Sequence, residues 1–149
     1  MKKGFIILIA AFFLTATSTY AAKKEGDIPQ YVVSAFNNNF YFAGNVQWQK
    51  MDNYYEVIFN QHGKTLFAFY SEDADFMGIA NYILSDRLPV TLKSDLNTKY
   101  SNYWISDLFT YSINDKPGYV VTLENADQKI MLKSDNGKTW HLYRSVRIN

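Results

Sequence analysis

The sequence predicts an α+β fold: two tandem helix-plus-antiparallel-sheet repeats forming a two-layer α/β domain. Three observations point there. Residues 54–70 alternate in the manner of a β-hairpin. The same residue classes return 64 positions later. An apolar stripe at helical spacing stands upstream of each hairpin.

The chain of 149 residues opens like an export signal. Lys2 and Lys3 form a positive n-region, Phe5 to Leu14 is apolar, and Thr19-Tyr20-Ala21 offers small residues at a cleavage site. The run is shorter than the roughly 20 apolar residues a spanning helix needs. Residues 1–21 are therefore expected to be a removed signal peptide, the alternative being an uncleaved anchor. Residues 22–149 are expected to be one domain, with repeat one at about 28–75 and repeat two at about 76–149. There is no cysteine, so neither a disulfide nor a lipid anchor on cysteine is available. After signal removal, 13 basic residues face 14 acidic ones. That balance gives no electrostatic case for nucleic acid or an anionic membrane.

Val32, Phe36 and Phe40 are four apart and predict a helix from about Pro29 to Phe40, with Asp27 as its cap. Val46 to Met51 starts the sheet. Tyr55, Val57 and Phe59 alternate with Tyr54, Glu56 and Ile58. After the turn at Asn60–Lys64, where Gly63 takes the positive φ, Leu66, Ala68 and Tyr70 alternate with Phe67 and Phe69. Phe76, Ile79, Ala80, Ile83 and Leu84 carry helical spacing, with Asp73 or Asp75 capping and Pro89 ending the helix. Leu92, Leu96 and Tyr100 predict a further helix from about Val90. Ile105, Phe109, Tyr111 and Ile113 share a strand parity. Asn114 to Gly118 is a turn, and Tyr119–Leu123 with Lys129–Lys133 is a second hairpin. Asp135-Asn136-Gly137 turns into a last strand over Thr139–Ile148. At one offset Tyr55 matches Tyr119, Val57 matches Val121, Phe59 matches Leu123, Leu66 matches Ile130 and Ala68 matches Leu132, which is the basis for the repeat.

The residues Val33-x-x-Phe36-x-x-x-Phe40, Val46-x-Trp48, Tyr55-Glu56-Val57-x-Phe59, Gly63-Lys64, Ile83-x-x-x-x-Leu88-Pro89, Leu96-x-x-x-Tyr100, Tyr119-x-Val121 and Gly137-Lys138 carry a resemblance. The chain resembles the PepSY-like proteins, related in fold to the β-lactamase-inhibitor-like proteins, over nearly everything from Pro29 onward. It departs from that pattern at Ala74-Asp75, where an aspartate-glycine turn is expected, and at Tyr41-Phe42, where a proline is expected. The resemblance implies a small exported bacterial envelope protein, periplasmic or secreted, without known catalytic residues, whose relatives by fold bind other proteins, some as inhibitors of enzymes, so that a protein-binding or inhibitor-like module is expected.

The residues themselves name no reaction. The two histidines, His62 and His141, lie 79 residues apart, and no nucleophile elbow accompanies them. With no cysteine there is no zinc set. Ser71-Glu72-Asp73-Ala74-Asp75 and Asp135-Asn136-Gly137 read as turns before ion sites. Glu56 has no second acid fixed opposite it, as a glycosidase would need. The expectation is no catalytic residue, no metal and no cofactor.

What remains is the aromatic content, 17% of the chain with 12 tyrosines. Tyr54, Glu56, Phe67 and Phe69 have the parity opposite the presumed core, and Trp104, Trp140 and Tyr143 flank the second half. If that sheet face is open, these seven residues form a binding patch for an unknown envelope or extracellular protein. The alternatives are packing against the other repeat or a dimer, and binding of a glycan or small apolar ligand.

Overall fold

Alternation along 54–71 folds as a hairpin and seeds a much larger sheet. The computed structural model describes residues 28–148. The expected signal peptide at 1–21 and the expected cap at Asp27 lie outside them. In order come α1 (Gln30–Asn39), β1 (Gly44–Lys50), β2 (Tyr54–Gln61), β3 (Lys64–Ser71), β4 (Phe76–Tyr82), a 3₁₀ turn (Ser85–Arg87), α2 (Val90–Lys99), β5 (Trp104–Ile113), β6 (Lys116–Glu124), β7 (Gln128–Ser134) and β8 (His141–Arg147). The eight strands form one antiparallel sheet in sequence order, each hydrogen-bonded to its chain neighbours.

Both helices lie on the same sheet face. Val32, Val33 and Phe36 of α1 bury against Trp48, Tyr55, Val57, Phe59, Ala68 and Tyr70. Leu92 and Leu96 of α2 bury against Leu108, Val121, Leu123, Ile130 and Leu132. The ladder Ala68↔Ile79↔Ser112 carries this face from one helix to the other. Pro29 sits just ahead of α1, where it needs no N–H, and its carbonyl accepts from Val32 N at 2.9 Å. Phe36 is the centre of the first cluster, its ring 5.0 Å from Phe59 and 5.3 Å from Trp48, both edge-on.

Turn chemistry fixes the register. His62 and Gly63 both take positive φ, 50° and 73°, which closes β2–β3 in two residues between Gln61 and Lys64. Asn114 and Asp115 do the same for β5–β6. Asn125 Oδ1 accepts from the backbone N–H groups of Asp127 and Gln128, each at 2.9 Å, and so shapes the β6–β7 turn.

The fold class differs from the α+β expectation. The described residues are mostly β, a single eight-stranded sheet with two short helices, and not two tandem helix-plus-sheet repeats. The expected helix from Phe76 is strand β4, paired to β3 through Phe67↔Ala80 and to β5 through Tyr82↔Phe109. Ile79 meets the helix-side cluster while Ala80 is buried on the opposite face. A strand packed on both faces reads as a continuous apolar run, which mimics a helical stripe, and Gly78 in its middle suits a helix poorly. The five matched residue pairs thus describe likeness between two hairpins of one sheet. Two local expectations also change. Pro89 precedes α2 rather than ending a helix, and Pro117-Gly118 lie in β6 while the turn is Asn114-Asp115.

Candidate binding face

Strand alternation sends every second side chain to the face that neither helix covers. There Tyr54, Phe67, Phe69, Ala80 and Phe109 form one buried cluster, and Val120 with Met131 forms another. Tyr111 packs against both and joins them. The rings meet edge-on or tilted: Tyr54 to Phe69 at 6.2 Å, Phe67 to Phe109 at 6.2 Å, Phe67 to Tyr82 at 5.5 Å and Tyr82 to Phe109 at 4.1 Å. These are favourable geometries for rings with negative faces and positive edges.

Glu56 stands in this bed, between Gln49 on β1 and Phe69 on β3. It is 9% exposed. Burial alone pushes its carboxyl up to about 7, because taking a charge out of water disfavours the ionised form. Tyr54 is 3% exposed, and its hydroxyl has no hydrogen-bond partner. Burial raises its pKa first, and the nearby charges of Glu56 and Asp52 raise it further. Tyr82, at 53% exposure, opens the bed to solvent. Its pKa is raised by burial, then by Asp107 and Glu56, so the field of Glu56 reaches it.

Toward the β8 side, Tyr111 lies over Gly118 and donates to Asp135, which also pairs with Lys133 Nζ at 2.7 Å. A cavity of about 230 Å³ borders this group, lined by Tyr111, Ile113, Asn114, Lys116, Pro117 and Asp135.

Of the seven residues singled out from sequence, Tyr54, Glu56, Phe67 and Phe69 come together. Tyr143 shares their face and packs against Val120 and Met131. Trp104 pairs with Glu124 at the start of β5 and is 55% exposed. Trp140 does not join them: it packs on the helix side, and its indole N–H donates to the Leu92 carbonyl at 3.0 Å. Sequence reasoning missed Tyr82, Phe109 and Tyr111 as members of the bed. Tyr82 fell in the segment read as helix. Phe109 and Tyr111 were grouped with Ile105, but a register shift between Ile105 and Asp107 puts Ile105 beside Leu123 on the helix side. Pairing Phe109 with Tyr82 required knowing that β4 is a strand.

The remaining candidates resolve into structural roles. Ser71 Oγ accepts from the N–H groups of Asp73 and Asp75, making 71–75 a β3–β4 turn. Among the described residues no group of three or more His, Cys, Asp or Glu converges on a metal-sized site. Nor does any described helix have the length and apolarity to cross a membrane.

No family model matches the sequence, and no curated protein matches it. Solved structures do. A DUF2874 family protein from Bacteroides uniformis has a TM-score of 0.69 at 15% identity, over 80% of this chain and 89% of that one. A presumptive periplasmic protein from Bacteroides eggerthii has a TM-score of 0.67 at 15% identity, over 80% and 88%. A BLIP-like protein from Bacteroides fragilis has a TM-score of 0.66 at 16% identity, over 80% and 86%. Identities this low speak to architecture only. The eight-stranded sheet with both helices on one face is a BLIP-like fold.

Proposed function

We propose that the chain is a non-catalytic binding module, PepSY-like in kind and located in the periplasm or secreted, that docks a protein partner on the sheet face opposite its two described helices. The observation that carries this reading is Tyr82, 53% exposed at the rim of an aromatic bed on that face whose other rings are buried. Aromatic side chains that are rigid and amphipathic are the usual anchors of protein interfaces. The apolar run after Lys2 and Lys3 supports export, as does the presumptive periplasmic description of the Bacteroides eggerthii neighbour. The BLIP-like neighbour supports a binding role by analogy of fold. No acid–base or nucleophile–base pair is part of the reading, and no nucleic acid is.

The test uses photo-reactive residues in place of Tyr82 and Trp104, both about half exposed, in cells exporting the protein. Thr91 and Lys93 on α2 serve as controls. A discrete adduct from the sheet-face positions and none from α2 is the expected result. Equal adducts from both faces, or none from the sheet face, would overturn the reading. Alanine at Tyr54 or Phe69 is a poor probe, since both are buried and truncation there damages the fold itself.

A further inference from the structure

We propose that the cavity beside the β5–β6 turn holds a free amino acid with an apolar side chain, its carboxylate on Lys116 and its ammonium on Asp135. The site is separate from the docking reading above, since neither Tyr82 nor Trp104 lines it.

The chain makes this hollow by register. Asn114 and Asp115 take φ of 48° and 60°, so β5 turns into β6 in two residues. Ile113 then stands opposite Lys116, and Tyr111 opposite Gly118, all four on one face. Gly118 has no side chain, and the Tyr111 ring lies in the space a Cβ would take. Asp135, just past β7, completes the lining. The cavity measures about 230 Å³. At roughly 30 Å³ per water that is room for about eight waters, below the usual range for drug-sized ligands.

One charge of each sign is left free in this lining. Asp135 Oδ1 accepts from both Tyr111 and Lys133 Nζ. Burial opposes ionisation of this carboxyl, but the bonds from Lys133 and Tyr111, with the Lys133 charge, outweigh it and hold it below the ordinary carboxylate range. Its Oδ2 has no partner among the described residues and remains an acceptor. Lys133 Nζ also stands 5.5 Å from the centre of the Tyr111 ring, so ring and carboxylate are set before a ligand arrives. The exposed Lys116 has no ion pair among the described residues. The rest of the lining is Tyr111, Ile113 and Pro117, with the Asn114 amide.

Charge complementarity selects the occupant. A simple anion would meet Asp135, and a simple cation would meet Lys116 and Lys133. A molecule carrying both signs gives each of these groups its opposite. An α-amino acid holds the two signs close together, and an apolar side chain would take Ile113 and Pro117 out of water.

The test titrates the purified protein with L-leucine and follows its NMR signals. Saturable shifts centred on Ile113, Asn114 and Lys116 are expected, with a Kd of about 1 mM or tighter. N-acetyl-leucine lacks the cation and leucinamide lacks the anion, so each should bind at least about tenfold more weakly. Glycine keeps both charges without the side chain and should also bind more weakly. Lys116→Met changes an exposed residue and should keep the native spectrum. It should weaken leucine binding at least about tenfold and remove the preference for leucine over leucinamide. Absence of saturable shifts, equal binding of the blocked compounds, or an unchanged preference in Lys116→Met overturns the proposal. The Tyr82 photo-crosslink tests docking independently. An adduct without leucine binding keeps the docking face and overturns the amino-acid site, and leucine binding without an adduct does the reverse.

Discussion

The ring of Tyr111 lies across Gly118, its partner on β6, so closely that a Cβ at position 118 would stand 2.0 Å from the ring. Gly118→Ala must therefore swing Tyr111 away and break its hydrogen bond to Asp135. We expect a loss of about 1–3 kcal/mol by chemical denaturation, the usual range for overpacking. In a Tyr111→Ala background the same change should cost little, because the clash has gone.

Phe36 is fully buried and touches the rings of Phe40, Trp48 and Phe59. Phe36→Ala leaves a void that α1 cannot close without leaving the sheet. The expected loss is about 3–5 kcal/mol, measured by urea unfolding. Trp48 fluorescence should shift toward the solvent-exposed position if α1 detaches.

Glu56 gives a pH signature. Its carboxyl titrates near 4.5 when unfolded and at about 7 in the fold. Below the lower value it is neutral in both states and costs nothing. Between the two, the unfolded chain has released the proton that the fold retains, so stability falls as pH rises. Above about 7 the penalty is constant. At 1.36 kcal/mol per pH unit this is about 3 kcal/mol in all. The stability of Glu56→Gln relative to the parent should rise by about that amount from near pH 4 to near pH 8. A flat difference would show that the carboxyl is better solvated than the structure places it.

The hydroxyl of Tyr54 finds no partner in its buried position. Tyr54→Phe keeps the ring contact with Phe69 and removes the stranded oxygen. Most substitutions destabilise, but this one should be neutral or stabilising by about 1 kcal/mol, read from the denaturation midpoint.

Trp140 ties the approach to β8 onto α2 through the Leu92 carbonyl. Trp140→Phe preserves most of the packing and loses that bond. The expected cost is about 1 kcal/mol, with faster hydrogen exchange in α2.

The hairpins and both helices were legible because one physical rule dominated each. In β2 and β3, Tyr55, Val57, Phe59, Ala68 and Tyr70 face the core while the turn residues His62-Gly63 demand positive φ. In α2, Leu92 and Leu96 are four apart and both buried. β4 was not legible because Ile79 and Ala80 are covered on opposite faces, and that erases the period of two. The candidate site was half legible for the same reason. Parity along β2 and β3 located Tyr54, Glu56, Phe67 and Phe69. Their neighbours Tyr82 and Phe109 come from a ladder that β4 creates. Trp140 went to the other face because it sits in the loop before β8, where strand parity does not apply.

Each strand of this sheet takes its partner from the segment next to it in the chain. Except across the longer β4–β5 connection that carries α2, zipping such a sheet brings together only near neighbours in the chain, so the entropy of closing those loops stays small. A chain threaded unfolded through an export channel would be able to add strands one after another as it emerged. Among the described residues the two outermost strands, β1 and β8, each pair with a neighbour on one side alone.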